Sequence, residues 1–376
     1  MLYSEIKYQP EQTRTYLGSP SIIRLEDGAL VATHDYFGPG CPRNHESEEA
    51  LTSVYRSEDN GLSWQNVTHV MNAYWSTLFI HRGVLYLFGV TQQYGSIVIR
   101  RSDDGGFTWS HPTNGSNGLL FKGGYYHDNP NYHTSSVPFL FHRNRIYRGM
   151  EECWDAKWGS GFKTFVISAD QDADLLDAAS WTMSNKILFQ HDWLPKEWED
   201  EGSGGWLEGN VCLDPKGQIW NILRVHTAPR YDVGAMVRVS DDGKEISFDP
   251  SQGFIEMPGG KTKFVIRRDE QTGYYLSLVN APLQKTPYQS GCRNVLSLAK
   301  SEDLRHWQVV KEILRDESGL VPQDSARLTG FQYVDWHFDG EEDIIFATRM
   351  AWRGAHNFHD SNRITFHRLR QFRKWL

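Results

Sequence analysis

Ser57-Glu58-Asp59-Asn60-Gly61-Leu62-Ser63-Trp64 returns as Ser102-Asp103-Asp104-Gly105-Gly106-Phe107-Thr108-Trp109. Both stretches follow S-x-D-x-G-x-[ST]-W. The pattern fits a tight β-hairpin turn. Its Ser and Asp side chains bond backbone N–H groups of the turn, its Gly permits a positive φ, and its Trp covers the hairpin's flank. A pattern of five specified positions found twice marks a repeated supersecondary unit.

Working outward from the two turns, short β-branched and aromatic runs are separated by Gly, Asp and Asn. Helical periodicity is confined to Asp172–Ala179. The runs group in fours. Unit one comprises Ser19–Leu25, Ala29–His34, Thr52–Ser57 and a strand after Trp64. Unit two comprises Ser76–His81, Val84–Val90, Ser96–Arg101 and the second turn. Unit three has Val137–His142, Ile146–Met150, Lys163–Ser168 and Trp181–Phe189. Unit four has Gly209–Asp214, Gln218–Val225 and Ala235–Val239, with a degenerate turn at Ser240-Asp241-Asp242. Unit five has Lys263–Arg268, Tyr274–Val279, Asn294–Ala299 and Trp307–Glu312, with another at Ser301-Glu302-Asp303. Unit six has Gln332–Phe338, Asp343–Arg349 and Arg363–Leu369 but no fourth strand. The unassigned strand near Ser4–Tyr8 completes it if the units form a closed ring, which leaves no exposed edge. The count is six in one domain over residues 1–376. A seventh unit would have to come from Tyr125–Tyr132 or His191–Gly205, which read as loops.

Composition sets the functional bounds. The 376 residues carry a formal net charge of −8 and 13% aromatic side chains. Such aromatic content suits many-stranded sheets and sugar-binding clefts. The acidity argues against nucleic acid as a partner. Cys41, Cys153, Cys212 and Cys292 show no CxxC spacing and read as free buried thiols. No apolar run is long enough for a membrane helix and the N-terminus shows no signal region. The expectation is a soluble protein, cytoplasmic as written, or secreted or periplasmic if a leader has been removed.

The repeated turn resembles the Asp-box of sialidase-like β-propellers. That resemblance implies an all-β propeller of four-stranded antiparallel blades, six by count. It also implies that the first strand of each blade lines a central channel. The site then lies among loops that lead into strand one and out of strand two, on the face opposite the Asp-boxes. Those loops supply His34 and Asp35, Gln92 and Gln93, Glu151 and Glu152, Arg224 and His226, Asn280 and Arg349. Their counterparts are His133, Trp206, Glu208, Lys263, Gln332 and Tyr333, and the last long loop adds His356, His359 and Asp360. Titratable residues in apolar runs such as Val31-Ala32-Thr33-His34 need a partner or a chemical role. The bland readings stand beside these. Isolated His or Arg at strand ends are commonly structural, Glu151-Glu152 suits a salt-bridged rim equally well, and Trp206 and Tyr333 suit a core equally well. The His356/His359/Asp360 set has ligand types acceptable to Zn or Ca, but a capped, hydrogen-bonded loop is the simpler reading, so no cofactor is assigned.

A true sialidase is not expected. The resemblance would require an arginine of an R-I-P motif on the first inner strand, where this chain reads Gly18-Ser19-Pro20-Ser21-Ile22. Other segments look like the ulvan lyases and the rhamnose-glucuronate lyases and hydrolases. They are Thr33 to Gly40, His133 to Arg148, Trp206 to Asn210, Pro258 to Phe264, Gly330 to Trp336 and Gly354 to Asp360. This resemblance implies a uronate-containing glycan as substrate and β-elimination as the chemistry. A cation neutralises the carboxylate, a base near neutrality removes the C5 proton, and an acid protonates the leaving oxygen. The candidates are Arg224, Lys263 or Arg349 as cation, His34 or His133 as base or acid, and Tyr333 as donor. Asp35, Gln93, Glu152, Trp206, Glu208, Lys263, Arg349, His356 and His359 would bind substrate. A hydrolase such as an α-L-rhamnosidase acting beside glucuronate would instead use opposed carboxylates. A non-catalytic carbohydrate-binding propeller would keep Trp206 and Tyr333 alone.

Overall fold

The structure is a computed structural model that describes residues 3–43, 50–125, 128–198, 204–227, 230–284 and 292–376. Six antiparallel sheets, each four strand positions deep, follow one another along the chain, and contacts between successive sheets close them into a ring. It is a six-bladed β-propeller. The outermost strand of blade 6 is Ser4–Tyr8, which pairs antiparallel with Arg363–Leu369. The tryptophan of the blade-1 turn secures that closure. Trp64 donates its indole N–H to Ser4 Oγ (3.1 Å) and packs on Phe366 of blade 6.

The repeated turns are built as their side chains dictate. In the first, Gly61 N–H donates to Ser57 Oγ (2.8 Å) and Ser63 N–H to Asp59 Oδ1 (2.9 Å). In the second, Gly106 N–H donates to Ser102 Oγ (2.8 Å) and Thr108 N–H to Asp104 Oδ1 (2.9 Å). Gly61 has φ 88°, and a Cβ there would stand 2.2 Å from the Phe366 ring, so only glycine fits.

One expected element is absent. Asp172–Ala179 forms no α-helix; only a 3-10 turn at Ala178–Ser180 is present. Asp170, Asp174 and Asp177 each accept from the N–H two residues on, which diverts the backbone into Asx turns. The α-helix of the described residues is Pro322–Leu328, opened by Pro322 in the connection to blade 6.

Inner strands alternate in kind around the ring. In blades 2, 4 and 6 they run as Tyr74–His81, Gly205–Leu213 and Gly330–Asp339, each with a register shift near its start. At those bulges Trp75, Glu208 and Tyr333 adopt φ 48°, 59° and 51°. A non-glycine residue rarely takes this conformation, and a bulge that holds it re-aims one side chain. In blades 1 and 3 the inner strand is instead broken into Tyr16–Leu17 with Ser21–Arg24, and Tyr132–His133 with Leu140–His142. Pro20 and Pro138, lacking N–H donors, lie in those breaks. Blade 5 keeps only Ile266–Arg268 as its inner strand.

Candidate active site

The bulges deliver Glu208 and Tyr333 to one end of the channel, where three guanidinium groups meet. Arg224, from the second strand of blade 4, donates Nη1–H to Glu208 Oε2 at 2.8 Å, and both side chains are at most 3% exposed. The same guanidinium is hydrogen-bonded to the Tyr333 hydroxyl. Arg349, from the second strand of blade 6, lies 4.8 Å from the Tyr333 ring centre, and Arg293 lies 5.8 Å from it. Arg349 Nη2–H donates to the His359 carbonyl (2.5 Å) and Arg293 donates to Gln332 Oε1. Arg224 Nε and Arg349 Nε are buried without a hydrogen-bond partner among the described residues. Spare charged donors in a converging set are what a bound carboxylate satisfies.

Electrostatics follow from this crowding. Burial alone would raise the Glu208 carboxyl, but Arg224, with His133 and Lys263, holds it below the ordinary value. Burial pushes Arg293 down to about 10; Tyr333 opposes this, while Arg224 and Arg349 add to it. Burial also lowers Arg349, against the pull of Tyr333 and Asp35. Three cations held this closely favour an anion between them.

Asp35 also acts electrostatically on Arg349. It is 1% exposed, accepts Ser19 N–H at Oδ1 (2.8 Å) and accepts Trp75 N–H at Oδ2 (2.7 Å). Burial raises its carboxyl to about 7 in spite of those two donors and Arg349. A Cβ on Gly18 would lie 1.5 Å from Asp35 Oδ1. The aspartate therefore occupies the room an arginine at position 18 would need. Beside it, His133 Nδ1 is 2.9 Å from Glu151 Oε2, and Glu151 Oε1 accepts Gly209 N–H at 3.2 Å. The Trp75 ring packs edge-on against His133 at 4.3 Å.

Asp35, His133, Glu208, Arg224, Tyr333 and Arg349 are thus gathered at one end of the channel. His359, His356 and Gln93 form its rim. Gln93 is exposed and hydrogen-bonded to Tyr94. His356 Nδ1 and His359 Nδ1 meet the two oxygens of Asp360 at 2.7 and 2.9 Å, so this loop is a hydrogen-bonded clamp. Among the described residues no cluster of His, Cys, Asp and Glu has metal-holding geometry.

Four expected residues are placed elsewhere. His34 is fully buried between Tyr36 and Tyr55, and burial pushes its imidazole down to about 4. Successive strand residues point to opposite faces, so the strand that presents Asp35 to the site turns His34 away. For the same reason Glu152, next to Glu151, leaves the channel and pairs with Lys186 at 2.5 Å. Trp206 is fully buried among Phe189, Trp193 and Phe248, with no face left for a sugar. Lys263 lies deeper in the channel, donating to the Val334 carbonyl (2.6 Å). Arg293 and Trp75 escaped the sequence reading. Arg293 precedes a third strand, Val295–Ser301, rather than following a second one. Trp75 stands one residue before Ser76–His81, the first strand read for unit two, and only its bulge brings it to notice.

No protein-family model and no curated protein matches the chain. Solved structures do match. The alpha-L-arabinanase of Penicillium chrysogenum superimposes with TM-score 0.60 at 14% identity, covering 100% of this chain and 99% of its own. An alpha-L-arabinofuranosidase from Fusarium graminearum gives 0.60 at 12%, covering 98% of each. A Hadza microbial sialidase gives 0.62 at 12%, covering 100% of this chain and 69% of its own. Likeness at this level of identity establishes a shared propeller fold.

Proposed function

We propose that this propeller hydrolyses the glycosidic bond of a sugar bearing a carboxylate, a uronic acid included, with Tyr333 as nucleophile and Asp35 as general acid. The carrying observation is the meeting of Arg224, Arg293 and Arg349 around one tyrosine, with Glu208 paired to the same Arg224. The carbohydrate-active enzymes among its structural neighbours support the general class. A carboxylate sugar would repel a carboxylate nucleophile, whereas a phenol carries no charge until it reacts, and tyrosine serves as nucleophile in some glycosidases. The cations hold the substrate's carboxylate and stabilise Tyr333 oxygen as its proton passes to Glu208. Tyr333 oxygen bonds to the anomeric carbon while the bond to the leaving oxygen breaks, and Asp35 protonates that oxygen. A water, deprotonated by Asp35, then attacks the anomeric carbon and frees Tyr333, which regains its proton from Glu208.

Elimination is the second reading, and the buried His133–Glu151 pair favours it. An imidazole oriented by a carboxylate is a suitable base for a C5 proton next to a neutralised carboxylate. One experiment separates the two. The protein is incubated with a panel of glucuronate, galacturonate and other carboxylate-sugar glycosides, and reducing ends and ultraviolet absorbance are followed together. Hydrolysis releases reducing ends without absorbance, and Tyr333→Phe then lowers turnover about 10³-fold while His133→Ala leaves a folded protein. A rise in absorbance from the C4–C5 double bond, retained in Tyr333→Phe and lost in His133→Ala, would establish the lyase instead. Binding without product would leave a carbohydrate-binding module.

A further inference from the structure

We propose that Trp158 forms a stacking platform for a second sugar, on the leaving-group side of the cleaved bond, so that the substrate is an oligosaccharide. The inference rests on the hydrolase reading above and names what lies beyond the anomeric carbon.

The Asp35 carboxylate is hydrogen-bonded to the amide of Trp75. The proton for the leaving oxygen is therefore delivered beside Trp75, and the leaving group departs over that side of the channel. From Trp75 a chain of rings runs outward, through the buried His133 at 4.3 Å and Phe162 at 4.8 Å, to Trp158 at 6.3 Å. Trp158 ends the series and is 48% exposed. An aromatic face left in water beside a polar site is the counterpart of the apolar C–H face of a pyranose ring. The neighbouring Trp154 is also exposed, but the Lys163 ammonium covers its ring at 3.4 Å. Among the described residues no cation stands over Trp158, which packs at right angles to the His226 ring at 4.7 Å.

The loop that holds Trp158 is set in one shape. Asp155 and Ala156 are successive non-glycine residues with φ 53° and 52°. Strain of that kind persists where the surroundings enforce it, and it clusters at functional sites. Here the enforcement is visible. Asp155 is bonded both ways to Asn129, Trp154 N–H donates to the Gly161 carbonyl (2.8 Å), and Phe162 N–H donates to the Gly159 carbonyl (3.1 Å). The loop also sits directly on blade 4, where a Cβ on Gly205 would come within 2.0 Å of Gly159 O. A ring fixed in advance loses little entropy on meeting a ligand.

The test compares two forms of the sugar identified by the panel, glucuronate being taken first: the glycosyl fluoride, whose leaving group cannot stack, and a disaccharide with a pyranose leaving group. Trp158→Ala is expected to lower kcat/KM for the disaccharide about tenfold, the size of one aromatic stack. It should leave fluoride turnover within twofold, and Trp158→Phe should restore most of the loss. Equal effects on both substrates, or no effect on the disaccharide, would overturn the platform while leaving the hydrolase reading intact. Native protein inert towards both forms, across the panel, would overturn the two together.

Discussion

Asp35 carries the sharpest expectation at the scale of single residues. A general acid must be protonated to donate, and this carboxyl titrates near 7 because it is buried. Activity should therefore fall as pH rises through about 7. At the other end, Glu208 is held below its ordinary value and stays ionised until the solution is clearly acidic. The kcat/KM profile should be bell-shaped with its upper limb near 7, and Asp35→Asn should lose that limb along with about 10²- to 10⁴-fold of the rate on substrates with poor leaving groups. An unchanged upper limb in Asp35→Asn would assign it to another group. Arg349 makes a different prediction. Its unpartnered Nε and its place against Tyr333 make Arg349→Met raise KM for a uronate glycoside about 10- to 100-fold, as loss of a charged hydrogen bond does. The corresponding uronamide, lacking the charge, should discriminate far less between the two proteins. Single residues were also where the sequence was least legible. Asp35 and His34 both read as channel residues, because a strand's end can be read from the pattern while its facing cannot. Trp206 was an even choice between core and platform, and only its neighbours Phe189, Trp193 and Phe248 decide it.

At the scale of elements, the bulges near the start of three inner strands matter more than the strands themselves. They turn Trp75, Glu208 and Tyr333 into left-handed conformations that no periodicity of two announces. Gly209 makes one of them possible, since a Cβ there would stand 2.1 Å from Asn221 Oδ1. Gly209→Ala should cost about 1–3 kcal/mol, seen as a lower melting temperature. It should also cost activity beyond that loss, because Glu208 and the Glu151 contact to Gly209 N–H move together. A variant that melts lower yet turns over normally would separate the bulge from the chemistry. The missing helix at Asp172–Ala179 is the converse case. Its composition permitted a helix, and local side-chain hydrogen bonds from three aspartates won.

The whole molecule was the most legible level. Two Asp-box turns, a unit of four strands and one leftover strand near Ser4–Tyr8 already favoured a closed ring of six over seven, and the sheets are ordered as six. Repetition amplifies a weak local signal, whereas a catalytic residue occurs once. The closure also has a measurable weight. Removing residues 1–8 exposes the ladder edge of Arg363–Leu369, so the shortened chain should melt at a lower temperature and scatter light increasingly with concentration. A truncated chain as stable and as monodisperse as the parent would show that the blade-1 turn, through Trp64 and Phe366, suffices to hold blade 6.

That same pairing of Ser4–Tyr8 with Arg363–Leu369 sets a schedule for the protein's birth. Ser4–Tyr8 needs Arg363–Leu369 as its partner, and roughly 350 residues of synthesis, about 20 to 70 seconds at ordinary elongation rates, separate them. Through that interval blades 1 to 5 can assemble in order, but the circle stays open. Ser4–Tyr8 waits without its ladder partner, a sticky hem available to any other nascent chain. Yield in the cell should therefore depend on how crowded the translating polysome is, even when the finished ring is stable.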